Sequence, residues 1–166
     1  MQLNLLSSYP HFTEPLARCQ DDFWRTQLPW WRYTDALEEL QYHASNDALP
    51  TTLIAFESSQ LLGSISLIEE DSHKEELPQE LANISPWLTS LFVLPQWRGR
   101  GVGTALVRKA IQHAQVLNVT RLHLVATNCE MFYARLGWAV KTRFAYRGQQ
   151  AALMDKALIS EGSCER

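Results

Sequence analysis

The sequence predicts a mixed α/β fold: a mostly antiparallel sheet with a central parallel strand pair and helices on both faces. Three observations carry that expectation. Residues 86–126 read as strand, helix, strand, and a crossover of that length makes its two strands parallel. Apolar runs at 51–57 and 61–68, and again at 138–146 and 151–158, are close enough to pair as antiparallel hairpins. Two amphipathic segments, 13–28 and 34–45, come before all of them, and sheet and helices must bury their apolar sides on one another.

Each element has a local reason. TEPLARCQDDFWRTQL (13–28) opens with Thr13 as a candidate cap, Glu14 in the first turn and Pro15 where a first turn tolerates it. TDALEELQYHAS (34–45) has Thr34 as its candidate cap and an apolar stripe through Leu37, Leu40 and Ala44. Between them lies an aromatic loop, LPWWRY. TTLIAFE (51–57) is apolar and β-branched, while LLGSISLI (61–68) alternates apolar with small polar residues. EEDSHKEELPQE (69–80) reads as an acidic loop or helical turn, expected to be solvated. PWLTSLFVL (86–94) is a strand, and residues 103–117 form a helix with Leu106, Val107, Ala110, Ile111, Ala114 and Leu117 on one side. RLHLVA (121–126) is the next strand. A short helix over 127–136 ends at Gly137, and two strands meet at Arg147-Gly148.

Composition bounds the rest. The 166 residues fit one domain over 1–160, with 161–166 expected to be a flexible tail. A formal net charge of −3 argues against a nucleic-acid partner, which wants a basic field. Three scattered cysteines with no paired spacing argue against a disulfide framework and for a reducing compartment. No apolar run is long enough to span a membrane, and the N-terminal stretch lacks the pattern of a signal peptide. The expectation is a cytoplasmic protein, with a homodimer left open. No metal-ligand pattern stands out.

The most informative stretch is QWRGRGVGTALV (96–107). Glycines between a strand and a helix let backbone N–H groups turn inward together, and the helix N-terminus adds a partial positive charge. Arg98 and Arg100 add cationic side chains, so the expected ligand is a phosphate or pyrophosphate. A P-loop would need GxxxxGK[ST], and no lysine follows these glycines. A dinucleotide fingerprint would need GxGxxG and an acid some 20 residues on; both are missing.

With its flanks, this stretch resembles the pyrophosphate-binding motif of the GNAT superfamily of N-acetyltransferases, Q/R-x-x-G-x-G/A, here Arg98, Gly101 and Gly103 after the strand LTSLFVLP. ATNCEMFYARLGW (126–138) resembles that family's closing segment: an Asn, a helix bearing Phe-Tyr, then Gly and an aromatic. Residues 50–158 match well, whereas 1–49 match only in having two helices.

The resemblance implies a GNAT-like fold in which the parallel pair is splayed, with acetyl-CoA as co-substrate and no metal. Backbone amides from Arg98 through Gly99, Arg100, Gly101, Val102 and Gly103, with Thr104, would cradle the pyrophosphate. Leu91, Phe92 and Val93 would pair by main chain with the pantetheine arm, with a backbone N–H near Phe92 or Val93 as oxyanion donor. Asn128 would touch the donor or, from its position alone, cap a helix. Tyr133 would be the general acid, since a phenol is protonated at neutral pH. The strand 87–93 carries no carboxylate, so the base is sought at Glu70, or at Glu69 or Asp71, acting through water; His123 reads as structural. The acceptor would be a small-molecule amine near Trp30 or Trp31, attacking directly in a ternary complex. Alternatives are acetylation of a protein N-terminus or lysine, and a non-catalytic acyl-CoA sensor.

Overall fold

The computed structural model describes residues 1–70 and 74–158. The expectations for Asp71 and the tail at 161–166 lie outside those residues. Seven strands and four α-helices are described: β1 (Gln2–Leu5), α1 (Thr13–Trp24), α2 (Tyr33–His43), β2 (Thr51–Glu57), β3 (Gln60–Ile68), β4 (Trp87–Val93), α3 (Val102–Val116), β5 (Arg121–Ala126), α4 (Glu130–Arg135), β6 (Ala139–Tyr146) and β7 (Gln149–Ala157). The strand order is β1-β2-β3-β4-β5-β7-β6. β4 and β5 are the parallel pair, in register at Trp87↔His123; β1–β2, β2–β3, β5–β7 and β6–β7 are antiparallel. The mixed fold expected from the sequence is therefore present, with β1 as an additional strand.

The chain forms two compact units, and β4 passes from one into the other. The first comprises Met1–Leu67 and Ser90–Ala110. Its core gathers Leu6, Phe12, Leu16, Ala17, Leu40, Ile54, Phe56, Leu61, Phe92 and Leu94. Helices cover both faces of its strands. Gln20 on α1 reaches Ser64 on β3 (3.4 Å), and a Cβ added at the adjacent Gly63 would meet Leu106 of α3 instead (3.3 Å). Successive strand residues point to opposite faces, so α1 and α3 lie on opposite sides.

The alternation in β3 normally signals one wet face. Here Ser64 and Ser66 are buried, because α1 and α2 pack over them. Both serine hydroxyls find partners. His43 Nδ1 of α2 lies 2.8 Å from Thr52 Oγ1, and Thr52 Oγ1 lies 2.7 Å from Ser66 Oγ.

The second unit comprises Ile68–Thr89 and the chain from Ile111 onward. Its core holds Ile68, Leu77, Leu81, Trp87 and Leu153. Leu77 lies within the acidic stretch, and Leu81 directly follows it. Two 3-10 turns, Lys74–Glu76 and Gln79–Leu81, bury those leucines and leave Glu75, Glu76 and Glu80 exposed. β7, the last of the described strands, inserts between β5 and β6, where Asp155 is buried and meets Arg121 at 3.0 Å.

The expected helix caps are not formed. Thr13 and Tyr33 are the first residues of α1 and α2, following Phe12 and Arg32, and neither start has a side-chain cap. α1 stops at Trp24, four residues short of the expected Leu28, and α4 starts only at Glu130.

Candidate functional site

In the first unit the glycine-rich turn takes the form the motif requires. Gly99 and Gly101 have φ of 73° and 83°, the left-handed region that favours glycine. A Cβ at either would meet nothing within 4 Å, so open space adjoins both glycines. The Ala105 N–H donates to the Gly101 carbonyl at 3.0 Å, the first bond of α3. The N–H groups of Val102, Gly103 and Thr104 therefore precede any intrahelical acceptor and are donors for a ligand at the helix start. The Val102 side chain is buried, so that residue can offer its main chain only. Arg100 is exposed, with its guanidinium 5.1 Å from the Trp97 ring.

Arg98 is placed differently from its neighbours. Its N–H bonds the Pro95 carbonyl (3.3 Å), and its Nε donates to the Val93 carbonyl (2.9 Å). The open donors of the turn thus run from Gly99 to Thr104.

β4 ends beside this turn. Ser90 has φ of 58°, a left-handed residue inside a strand, which kinks it and interrupts regular pairing. Leu91 and Val93 are half-buried, while the Phe92 ring is buried against Phe23 (5.9 Å) and Trp24 (5.3 Å) of α1. The side chain of Phe92 is core, which leaves its main chain for any ligand. Gly63 is the neighbour that sequence reasoning missed: a Cβ there would stand 2.5 Å from the Phe92 carbonyl. A lone glycine within a strand pattern is the signal for such a close approach.

The aromatic loop carries a cleft of about 710 Å³, lined by Arg18, Asp21, Asp22, Arg25, Trp31 and Arg32 among others. Buried Asp21 organises it, accepting from Trp31 Nε1 at 3.0 Å and pairing with Arg25. Trp31 also packs on Trp24 at 5.2 Å. Trp31 thus anchors the loop to α1, whereas Trp30 is 38% exposed.

Tyr133, Asn128 and Glu70 belong to the second unit. Tyr133 on α4 is 8% exposed and packs edge-on against Phe132 (5.0 Å) and Trp138 (6.0 Å). Burial, and then the neighbouring Cys129, push its phenol well above the ordinary value. Burial also raises the Cys129 thiol, as it raises that of Cys19 in the first unit. Asn128 does not cap α4; it adopts φ of 66° and donates from Nδ2 to Gln149 Oε1 at 3.2 Å. Cys129 takes the cap position, with no side-chain cap bond. Glu70 and Glu69 are exposed, just past the end of β3, and the Glu69 carbonyl accepts from Ser85 Oγ at 2.6 Å. His123 is held by the Pro86 carbonyl (3.1 Å) and the Trp87 ring, consistent with a structural role. Among the described residues no cluster of His, Cys, Asp and Glu could hold a metal ion, and no helix is long and apolar enough to cross a membrane.

A family model described as the acetyltransferase (GNAT) family matches residues 16–138. The chain belongs to the GNAT acetyltransferase family. No curated protein sequence matches. Solved structures match in fold. An aminoglycoside 6'-N-acetyltransferase complexed with coenzyme A superposes with a TM-score of 0.75 at 14% identity, covering 97% of this chain and 99% of its own. An aminoglycoside 6'-N-acetyltransferase from Enterococcus faecium gives 0.74 at 14%, with the same coverage. A ribosomal-protein-alanine N-acetyltransferase from Brucella melitensis gives 0.70 at 17%, covering 95% and 99%.

Proposed function

We propose that the protein is an acetyl-CoA-dependent N-acetyltransferase that acts on a small-molecule amine. One observation carries the donor half: an open turn with two left-handed glycines at the start of α3, where a run of main-chain donors and the helix dipole converge. Acetyl-CoA fits it as a diphosphate-bearing donor and supplies an activated thioester. Gly99, Arg100, Gly101, Val102, Gly103 and Thr104 hold the diphosphate, and the main chain of Leu91, Phe92 and Val93 aligns the pantetheine arm. An N–H at Phe92 or Val93 stabilises the carbonyl oxygen as it gains charge. Asn128 is assigned a contact with the donor.

Tyr133 is assigned to the departing sulfur. Its raised pKa keeps the phenol protonated at neutral pH, yet holds the proton more tightly than a free thiol at about 8.5. Its contribution is therefore a hydrogen bond to the developing thiolate more than a completed proton transfer. The two described cysteines are both shifted away from thiolate, which favours direct attack by the amine over an acyl-cysteine route. Glu70, or Glu69, receives the amine proton through water, since β4 has no carboxylate of its own. A cytoplasmic location suits this chemistry.

Two aminoglycoside N-acetyltransferases among the similar folds support a small-molecule acceptor; the ribosomal-protein enzyme keeps a protein N-terminus as the alternative. The missing strand carboxylate favours a second reading, a non-catalytic acyl-CoA sensor. Incubation with acetyl-CoA and a panel of amines, following free thiol, tests both. Thiol release that depends on one amine class supports the enzyme. Coenzyme A binding with no release above background supports the sensor, and no binding at all removes both.

A further inference from the structure

The first arginine of the glycine-rich turn is exposed, yet its side chain folds back onto its own unit. Arg98 Nε donates to the Val93 carbonyl at 2.9 Å, and its guanidinium carbon lies 4.4 Å from the centre of the Phe23 ring on α1. The same peptide unit is held at its other polar end, because the Leu94 N–H donates to the Leu62 carbonyl at 2.9 Å. The peptide closing β4 is thus fixed from both sides. Phe23 and its neighbour Trp24 both touch the Phe92 ring, and Trp31 packs on Trp24.

We propose that Arg98 is a positioning residue: its guanidinium clamps the Val93 carbonyl to the Phe23 ring, so one side chain sets both the end of β4 and the aromatic last turn of α1. The inference rests on the donor reading above and assigns this side chain a task other than phosphate contact. The task suits arginine alone among cationic residues. One edge of the planar guanidinium donates while its flat face lies on an aromatic ring; a lysine ammonium offers neither the plane nor the fork. The Val93 carbonyl retains a second lone pair, and the clamp fixes the direction in which it points. A ligand that pairs with main chain at Phe92 and Val93 then meets groups already oriented, which lowers the ordering cost of binding.

Calorimetry with coenzyme A on wild type, Arg98→Lys, Arg98→Gln, Phe23→Leu and the Phe23→Leu/Arg98→Lys double variant tests this at low and high salt. The clamp predicts that Arg98→Lys and Arg98→Gln weaken binding alike, by about tenfold, and Phe23→Leu by about threefold. The double variant is no weaker than Arg98→Lys alone, and the ratios hold as salt rises, because no phosphate charge is involved. A lysine variant within about twofold of wild type beside a weakened glutamine variant overturns the clamp. So do factors that multiply in the double variant, or melting points that fall while affinities stay put. If wild type itself does not bind coenzyme A, the donor reading has failed; if it binds and the cycle is additive, the clamp alone has failed.

Discussion

At the scale of single residues, Gly101 is constrained by its backbone conformation alone. With φ of 83° and open space where a side chain would stand, Gly101→Ala meets backbone strain of about 1–2 kcal/mol but no clash. Gly101→Asp adds a negative charge where a diphosphate is proposed to lie. Coenzyme A affinity, measured by titration, is expected to fall modestly for alanine and by more than about tenfold for aspartate. Tyr133→Phe keeps the aromatic packing and removes the hydroxyl. Turnover is expected to drop by roughly 10²-fold with coenzyme A affinity nearly unchanged, as steady-state kinetics beside calorimetry will read. His43 gives a pH dependence of stability. Burial lowers its pKa to about 4. Glu39, 3.7 Å from Nε2, would favour the charged form, but that carboxylate is half exposed, so burial wins. The unfolded imidazole titrates near 6.5, so between there and pH 4 the unfolded chain binds the extra proton. Stability is full above about 6.5 and is lost as the pH falls, by about 1.4 kcal/mol per unit for this group. Urea midpoints from pH 7 to 4 are expected to fall less steeply in His43→Gln. Of these residues, Gly101 and Tyr133 could be read from motif spacing. His43 could not, because its importance comes from Thr52 and Ser66, which lie on two later strands.

Most elements were legible because their signal is local. Hydrophobic period located α3 and β5 to within a residue of 103–117 and 121–126. Helix ends were less legible, since a threonine suited to capping does nothing once the chain enters the helix a residue earlier, as at Thr13. β1 escaped notice because Gln2–Leu5 is too short for its period to stand out, and only pairing with β2 makes it a strand. The alternation in β3 left open what covers its serines, because α1 and α2 arrive from elsewhere in the chain to bury them. The contact of β3 with β4 is the element-scale feature most open to test. Gly63→Ala would place a carbon 2.5 Å from the Phe92 carbonyl, which belongs to the backbone and cannot rotate aside. The expected result is a loss of about 1–3 kcal/mol in unfolding free energy. A weaker hold on coenzyme A is expected beside it, because the end of β4 must shift. An alanine variant with unaltered stability and affinity would show that this strand yields freely.

For the molecule as a whole, the proposed donor would couple its binding to folding. A ligand at about one hundred times its dissociation constant stabilises by about 2.7 kcal/mol. For a chain of this size that raises the melting point by roughly 5–10 °C. Coenzyme A should produce such a shift in a thermal melt, and inorganic phosphate at the same concentration a smaller one. The broad architecture was readable from the order of helices and strands, since few arrangements satisfy one crossover and several hairpins. The insertion of β7 between β5 and β6 was not, because sequential strands usually neighbour one another and only the observed register shows the exchange. That insertion has a bearing on synthesis. While the ribosome is still extending the chain, β5 lacks its antiparallel neighbour, and that neighbour emerges last of the described strands. A nascent polypeptide released before Ala157 would expose the amides and carbonyls of Arg121–Ala126 as a template for a foreign strand. Chaperone capture or intermolecular pairing is the expected fate of such a product.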